Sequence, residues 1–163
     1  MKPSRRHESL IPLSREHQYG LLLCLRIHQG LARNADESWV RRKANDAVEF
    51  FSSELTSHFK AEEQAVFPAM NNIAEATVLL DELVSDHRKL ERLVSTLAGS
   101  APGLASSLGE FADLLEAHIR KEERELFPLY EKRVKDNVAA QVGIAVRSFI
   151  GDAMQPGNPD LLK

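Results

Sequence analysis

Apolar residues recur along most of this 163-residue chain at intervals of three and four positions, which is the spacing of one face of an α-helix. The pattern predicts four long helices, over residues 14–33, 39–67, 76–98 and 104–127. Pro68 has no amide proton and its ring clashes with the preceding turn, so it is expected to end or kink the second helix. Long amphipathic helices joined by short loops predict an all-α, up-down-up-down four-helix bundle.

The stretches outside these helices divide the chain further. Residues 1–13 lack the periodicity and are expected to form an N-terminal arm. Residues 151–163 are rich in Pro, Gly and Asp and are expected to form a flexible C-terminal tail. Residues 134–150 are expected to form a further helix, which packs outside the bundle or extends the fourth helix. The bundle domain is therefore expected to cover residues 14–150.

The composition fits one folded domain and argues against several kinds of partner. With 43% hydrophobic residues, the chain can bury a substantial core. A net charge of −3 argues against nucleic acid as a partner. The longest apolar run, Leu21 to Leu25, is too short to cross a membrane, and the N-terminal residues contain no apolar signal segment. Cys24 is the single cysteine, which excludes an intrachain disulfide and fits a core position in a cytoplasmic protein.

The same eleven-residue pattern occurs twice, from His58 to Pro68 and from His118 to Pro128. In both copies a histidine is followed four positions later by a glutamate, and the two side chains then lie on one face of a helix. Further histidines interrupt the apolar stripes of the first and third helices. The inward-facing residues with metal-ligating side chains are His17, His58, Glu62, His87, His118 and Glu122.

These six residues are expected to lie close together. At about 1.5 Å per residue, antiparallel helices bring the four histidines to one level within roughly 5 Å. Buried carboxylates require cations, so the group predicts a metal site. Six nitrogen and oxygen ligands are too many for one tetrahedral ion and suit a dinuclear centre. Ligands without thiolate favour iron or manganese, although affinity alone excludes neither zinc nor copper.

On these motifs the chain resembles the hemerythrin-like family of HHE cation-binding domains over about residues 14–130. The resemblance implies a four-helix bundle around a non-haem di-iron centre, with Glu62 and Glu122 bridging the two ions. It further implies a division of the histidines, one iron taking His17 and His58 and the other His87 and His118.

The third and fourth helices depart from the oxygen-carrying hemerythrins. Where those proteins have His-x-x-x-His in the third helix, this chain has His87-x-x-x-Glu91. In the fourth helix the inward carboxylate, Glu122, follows the histidine by four positions rather than five. Glu91 is therefore either an additional metal ligand or a surface partner of Arg88 or Arg92. The departures favour a role other than reversible oxygen transport.

Two classes of function fit this sequence. The first is a binding or sensing module that takes up a small molecule such as O2 or NO at the centre of the bundle. The alternative is a di-iron enzyme that acts on peroxide, NO or iron, in oxidative or nitrosative stress or in iron handling. A metal-free helical scaffold is the third interpretation. The sequence leaves open whether the protein is a monomer or a homodimer.

Other polar and aromatic residues near the motifs have expected roles of their own. Glu63 and Glu123 are expected to be solvated groups or hydrogen-bond partners of the ligands. His28 lies roughly 16 Å along its helix from His17 and is expected to be a hydrogen-bonded core residue. The residues expected to wall the site are Phe59, Phe67, Ile119 and Phe127.

Overall fold

A computed structural model describes residues 5–100 and 102–152 of the chain. In these ranges the helices are α1 (Ile11–Ala32), α2 (residues 37–70), α3 (Thr77–Ala98), α4 (residues 104–133) and α5 (Asp136–Ile150), and there is no β-strand. Helices α1 to α4 pack as an antiparallel bundle in which α4 contacts α1, α2 and α3. The predicted all-α bundle with a further helix is confirmed. No helix of the described part is both long and apolar enough to cross a membrane.

Helix α1 begins at Ile11, three residues before the predicted start. Pro12 lies in its first turn, where a missing amide proton costs no hydrogen bond. A short 3₁₀ turn, Glu8–Leu10, precedes the helix and is partly buried, so several residues of the predicted arm pack on the bundle. Residues 1–4 and, apart from its first two positions, the predicted tail 151–163 lie outside the described residues.

Helices α2 and α4 continue through their prolines. Each contains a π turn, Glu62–Val66 in α2 and Glu122–Leu126 in α4, and α2 has another at Phe51–Leu55. In these turns an amide bonds to the carbonyl five residues back, as Phe67 does to Glu62. This bonding shifts the carbonyls of the turn before each proline. The proline ring, which would clash with a carbonyl in a regular α-helical turn, is therefore tolerated. The predicted ends at residues 67 and 127 are therefore wrong, and the helices run on to Met70 and Arg133.

The core consists of two apolar clusters, with a polar layer between them along every helix of the bundle. One cluster contains residues such as Leu23, Leu90 and Leu115, and the other contains residues such as Leu83 and Leu126. Helix α5 does not extend α4; it packs outside the bundle, against α1 and the C-terminal part of α2. The fold thus leaves one buried layer for the polar residues of the repeated motif.

Candidate metal centre

The six predicted ligand residues meet in the layer between the two apolar clusters. Each contributes from the inward face of one of the helices α1 to α4, and each is between 0 and 3% exposed. Their ligand atoms form two groups, and within each group the atoms lie within 4.8 Å of one another. The first group is His17, His58, Glu62 and Glu122, and the second is Glu62, His87, His118 and Glu122. Two sites that share two carboxylates have the arrangement expected of a dinuclear centre.

The four histidines face each other in pairs through their Nε2 atoms. In the first half of the centre, His17 Nε2 lies 3.0 Å from His58 Nε2. In the second half, His87 Nε2 lies 3.2 Å from His118 Nε2. Imidazole nitrogens that converge in this way are suited to binding one ion per pair.

The glutamates connect the two halves. Glu62 Oε1 lies 2.9 Å from His58 Nε2, and Glu62 Oε2 lies 3.1 Å from His87 Nε2. Glu122 Oε2 lies 3.1 and 3.5 Å from the Nε2 atoms of one histidine in each half. Each carboxylate therefore reaches both histidine pairs.

In the described part of the chain, the same carboxylates have no hydrogen-bond donor near them other than these imidazole nitrogens. Both oxygens of Glu62 and both oxygens of Glu122 lack a hydrogen bond of regular geometry, although the two side chains are 0% exposed. A buried carboxylate without donors or cations costs several kcal/mol, so such groups normally bind a cation. The residues present therefore fit a pair of metal ions.

Three of the histidines are oriented by a second carboxylate. The pairs, measured from Nδ1 to the nearest carboxylate oxygen, are His17 with Glu123 (2.7 Å), His58 with Glu16 (2.6 Å) and His87 with Glu63 (2.7 Å). A hydrogen bond at Nδ1 fixes the ring and leaves Nε2 free for a metal. Glu63 and Glu123 are thus hydrogen-bond partners of proposed ligands, which is one of the two roles expected for them.

Glu16 and Asp86 lie beside the centre without having been predicted there. Each directly precedes a histidine on an inward stripe, and each is about 6% exposed. Glu16 bonds to His58, and Asp86 Oδ2 lies 3.7 Å from His118 Nδ1. The signal in the sequence is an acidic residue directly before His17 and directly before His87. This signal separates Glu16 and Asp86 from other acidic residues only when the two halves of the chain are compared.

Cations balance three of these outer carboxylates. Arg6 donates to Glu123 at 2.6 Å, and Lys121 donates to Asp86 at 3.3 Å. Arg88 pairs with Glu63. The negative charge therefore stays concentrated on the inner carboxylates, next to the metal positions.

The protonation equilibria of the metal-free site reflect this concentration of charge. Burial lowers the pKa of His58, but Glu62 and Glu16 together raise it well above its ordinary value. Burial raises the pKa of Glu62, yet His58 and His87 bring it well below its ordinary value. Hydrogen bonds from His17 and Ser14 overcome burial and lower the pKa of Glu123 to about 2. The site thus favours positive charge, whether carried by protons or by metal ions.

Glu91, the possible additional ligand, and His28, which was expected to be a hydrogen-bonded core residue, both lie away from the centre. The side chain of Glu91 is 41% exposed and pairs with Arg88, so the structure does not bring Glu91 to the metal positions. His28 is not a core residue, because its side chain is 33% exposed and bonds Asp113 at 2.8 Å. Both belong to the solvated surface of the bundle.

Aromatic rings enclose the imidazoles as expected. The Phe59 ring stacks on His87 with a centroid distance of 3.7 Å, and the Phe127 ring stacks on His17 at 5.5 Å. The Phe67 ring also lies nearly parallel to the His87 ring, with a centroid distance of 5.8 Å. These contacts fix the ring planes and limit the access of water.

Comparison with known proteins agrees with this geometry. The family model of the hemerythrin HHE cation binding domain matches residues 12–130, which contain every proposed ligand. Searches of curated proteins and of solved structures gave no match. Because the family model covers well over half of the chain, this protein belongs to the hemerythrin family of HHE cation-binding domains.

Proposed function

We propose that this protein holds a non-haem di-iron centre and binds or senses a small ligand such as O2 or NO there. The observation that carries the proposal is the pair of buried carboxylates, Glu62 and Glu122, which reach both histidine pairs and have no other hydrogen-bond partner. Glu91 is not included among the ligands, because it pairs with Arg88 at the surface.

The choice of iron follows from the donor set and from the family. Four imidazoles and two carboxylates, without thiolate, suit iron or manganese better than they suit a structural zinc site. Bound iron would supply redox chemistry and a coordination position open to a diatomic ligand. The chain's own residues hold the imidazoles in place through Nδ1 and keep bulk water out with stacked aromatic rings.

The surroundings of the centre favour a small ligand. All six proposed ligands are nearly fully buried, so a large substrate has no direct contact with them. A depression of about 170 Å³ lies between α2 and α3, and Phe59, Glu63 and Arg88 are part of its lining. Phe59 and Glu63 both contact His87. A diatomic molecule entering there would meet the second half of the centre first.

Anaerobic metal analysis followed by gas titration tests the proposal. We expect two irons per chain, and reversible charge-transfer absorption when O2 or NO is added and removed. His58→Ala and Glu122→Ala are each expected to abolish the binding of two ions, whereas the surface variants His28→Ala and Glu91→Ala retain both.

Three outcomes would contradict parts of the proposal. Two ions retained by His58→Ala would refute the ligand assignment. Manganese or zinc in freshly purified protein, with no iron, would refute the choice of metal. Steady turnover of peroxide or NO, without reversible absorption, would instead support the enzyme alternative.

A further inference from the structure

The repeated motif allows the two halves of the proposed centre to be compared position by position. His58 on α2 corresponds to His118 on α4, and Glu16 on α1 corresponds to Asp86 on α3. Three residues after these histidines, the first half has Ala61 and the second half has Lys121. The corresponding residues differ in size and charge, so the halves need not hold their ions equally.

The histidines of α2 and α4 differ in how their Nδ1 atoms are bonded. His58 Nδ1 lies 2.6 Å from Glu16 Oε2, which is a short hydrogen bond to a carboxylate. His118 Nδ1 lies 3.7 Å from Asp86 Oδ2, which is too long for a hydrogen bond. His118 Nδ1 is buried and has no hydrogen-bond partner. One imidazole of the second half therefore lacks the support that its counterpart has.

Lys121 accounts for this difference. Its Nζ lies 3.3 Å from Asp86 Oδ2, the oxygen nearest His118, and 3.1 Å from Glu82 Oε2, so it competes with His118 for that oxygen. Lys89 also pairs with Asp86, but through the other oxygen, Oδ1, at 3.7 Å. Asp86 is also one methylene shorter than Glu16. The corresponding Ala61 is buried and has no polar group with which to compete for Glu16.

The outer carboxylate of the second half also borders solvent. Asp86 and Lys121 line an open depression of about 540 Å³ on the surface, together with Asp81, Glu82 and Lys89. His87 and His118 are themselves 0 and 1% exposed, so the second half approaches this depression at Asp86.

We propose that the two ions are held unequally, that the His87–His118 half is the exchangeable one, and that Lys121 is the positioning residue that makes it so. The inference rests on the proposed dinuclear function. Its physical basis is that a hydrogen bond at the distal nitrogen orients a metal-bound imidazole and increases its basicity. Loss of such a partner typically weakens metal binding by about 10- to 100-fold.

Release of iron to a chelator tests this inequality. The full chain is loaded anaerobically with two equivalents of Fe²⁺, desalted, and mixed with an excess of a coloured ferrous chelator. We expect wild-type protein to release one iron at least about tenfold faster than the other. Lys121→Ala, which copies the first half, is expected to slow the fast step by about tenfold, because Asp86 can then accept from His118.

Three further variants separate positioning from charge and from folding. Lys121→Ala combined with Asp86→Asn is expected to restore fast release, while Asp86→Asn alone changes the fast step little. Glu16→Gln is expected to make the slow iron fast. Lys60→Ala removes an exposed charge one residue before Ala61 and is expected to leave both steps unchanged. Lys121→Met replaces Lys121→Ala if thermal melting shows that the metal-free alanine variant is unfolded.

The outcomes distinguish this inference from the proposed function. If an anaerobic Fe²⁺ titration of wild-type protein shows fewer than two bound irons before desalting, the dinuclear proposal fails and the inequality fails with it. Loss of a single iron on desalting would instead be the fast release that the inequality predicts. If wild-type protein retains two irons that leave at one common rate, only the inequality is refuted. An unchanged fast step in Lys121→Ala, or equal effects of Lys60→Ala and Lys121→Ala, would refute the role of Lys121.

Discussion

The carboxylates that orient the histidines come from residues adjacent to proposed ligands on other helices. Glu123 follows the inner carboxylate Glu122 on α4 and accepts from His17 on α1, while Glu16 precedes His17 and accepts from His58 on α2. In each case one residue is a proposed ligand, and the residue next to it accepts a hydrogen bond from a histidine on a different helix. This crossing couples the orientation of each imidazole to the packing of the whole layer.

Glu123→Gln tests this coupling in the metal-free protein. Glu123 has a pKa lowered to about 2 from 4.5, so its bonds stabilise the fold above about pH 4.5 and lose this effect as the pH falls towards 2. We expect the variant to be less stable by about 1–3 kcal/mol at pH 6, and the difference to shrink at lower pH. Denaturant unfolding at several pH values measures it. A difference that does not depend on pH would contradict this assignment.

Cys24 gives a second prediction at the residue scale. Its side chain is 0% exposed, and burial raises the pKa of its thiol to about 12. Because the thiolate is the reactive form, we expect no reaction with a thiol reagent at pH 8 in the native protein and one equivalent after unfolding in urea. Rapid labelling of the native protein would show that this part of the core opens readily.

The grouping of the six proposed ligand residues could be predicted from the sequence, but their surroundings could not. His58 and Glu62 stand where an apolar residue is expected, and the second copy of the motif makes chance occurrence improbable. The apolar pattern alone does not place Asp86 at the site, because only the packing of α3 against α4 brings it towards His118. Glu91 remained ambiguous for the converse reason: its place beside the apolar stripe does not determine whether its side chain points inward or towards Arg88.

At the scale of the helices, the sequence determines the faces better than the ends. Apolar periodicity identifies each helix because the buried face must be continuous. The ends of α2 and α4 depend on whether a π turn precedes the proline, and that choice is made by tertiary packing. These two π turns begin at an inner carboxylate, Glu62 or Glu122, so the irregular backbone coincides with the proposed metal positions.

Helix α5 supplies the prediction at this scale. A Cβ atom at Gly143 would lie 3.3 Å from the Cα atom of Ser9, so the helix packs closely on the N-terminal turn. We expect Gly143→Leu to lower the free energy of unfolding by about 1–3 kcal/mol, because the side chain has no space. Ile144→Leu, at a 65% exposed position on the same helix, is the control and is expected to change it by less than about 0.5 kcal/mol. Equal stability of the two variants would mean that α5 is not closely docked.

For the whole molecule, the polar residues that could bind metal are expected to lower the stability of the metal-free fold. Six carboxylates and four histidines occupy or border a layer that apolar residues would otherwise fill, and Arg6 from the N-terminal segment is one of the cations that balance them. Well-packed apolar residues in place of buried charged pairs often stabilise a protein by about 1–4 kcal/mol. The layer is thus expected to lower the free energy of unfolding of the metal-free protein and to raise it once ions are bound.

Thermal melting with and without metal tests this expectation. Each ion that binds only the folded state at 100 times its dissociation constant adds about 2.7 kcal/mol, so one ion raises the Tm by about 5–10 °C and two ions by about 10–20 °C for a chain of this size. We expect chelation to lower the Tm of the wild-type protein by this amount. The double variant His58→Leu with Glu62→Leu removes one ligand of the first histidine pair and one shared carboxylate, so the Tm of this variant is expected to rise less with metal than that of wild-type protein. If wild-type protein melts at the same temperature with and without metal, cations do not stabilise the buried carboxylates of Glu62 and Glu122. Their burial would then give no support for a metal centre.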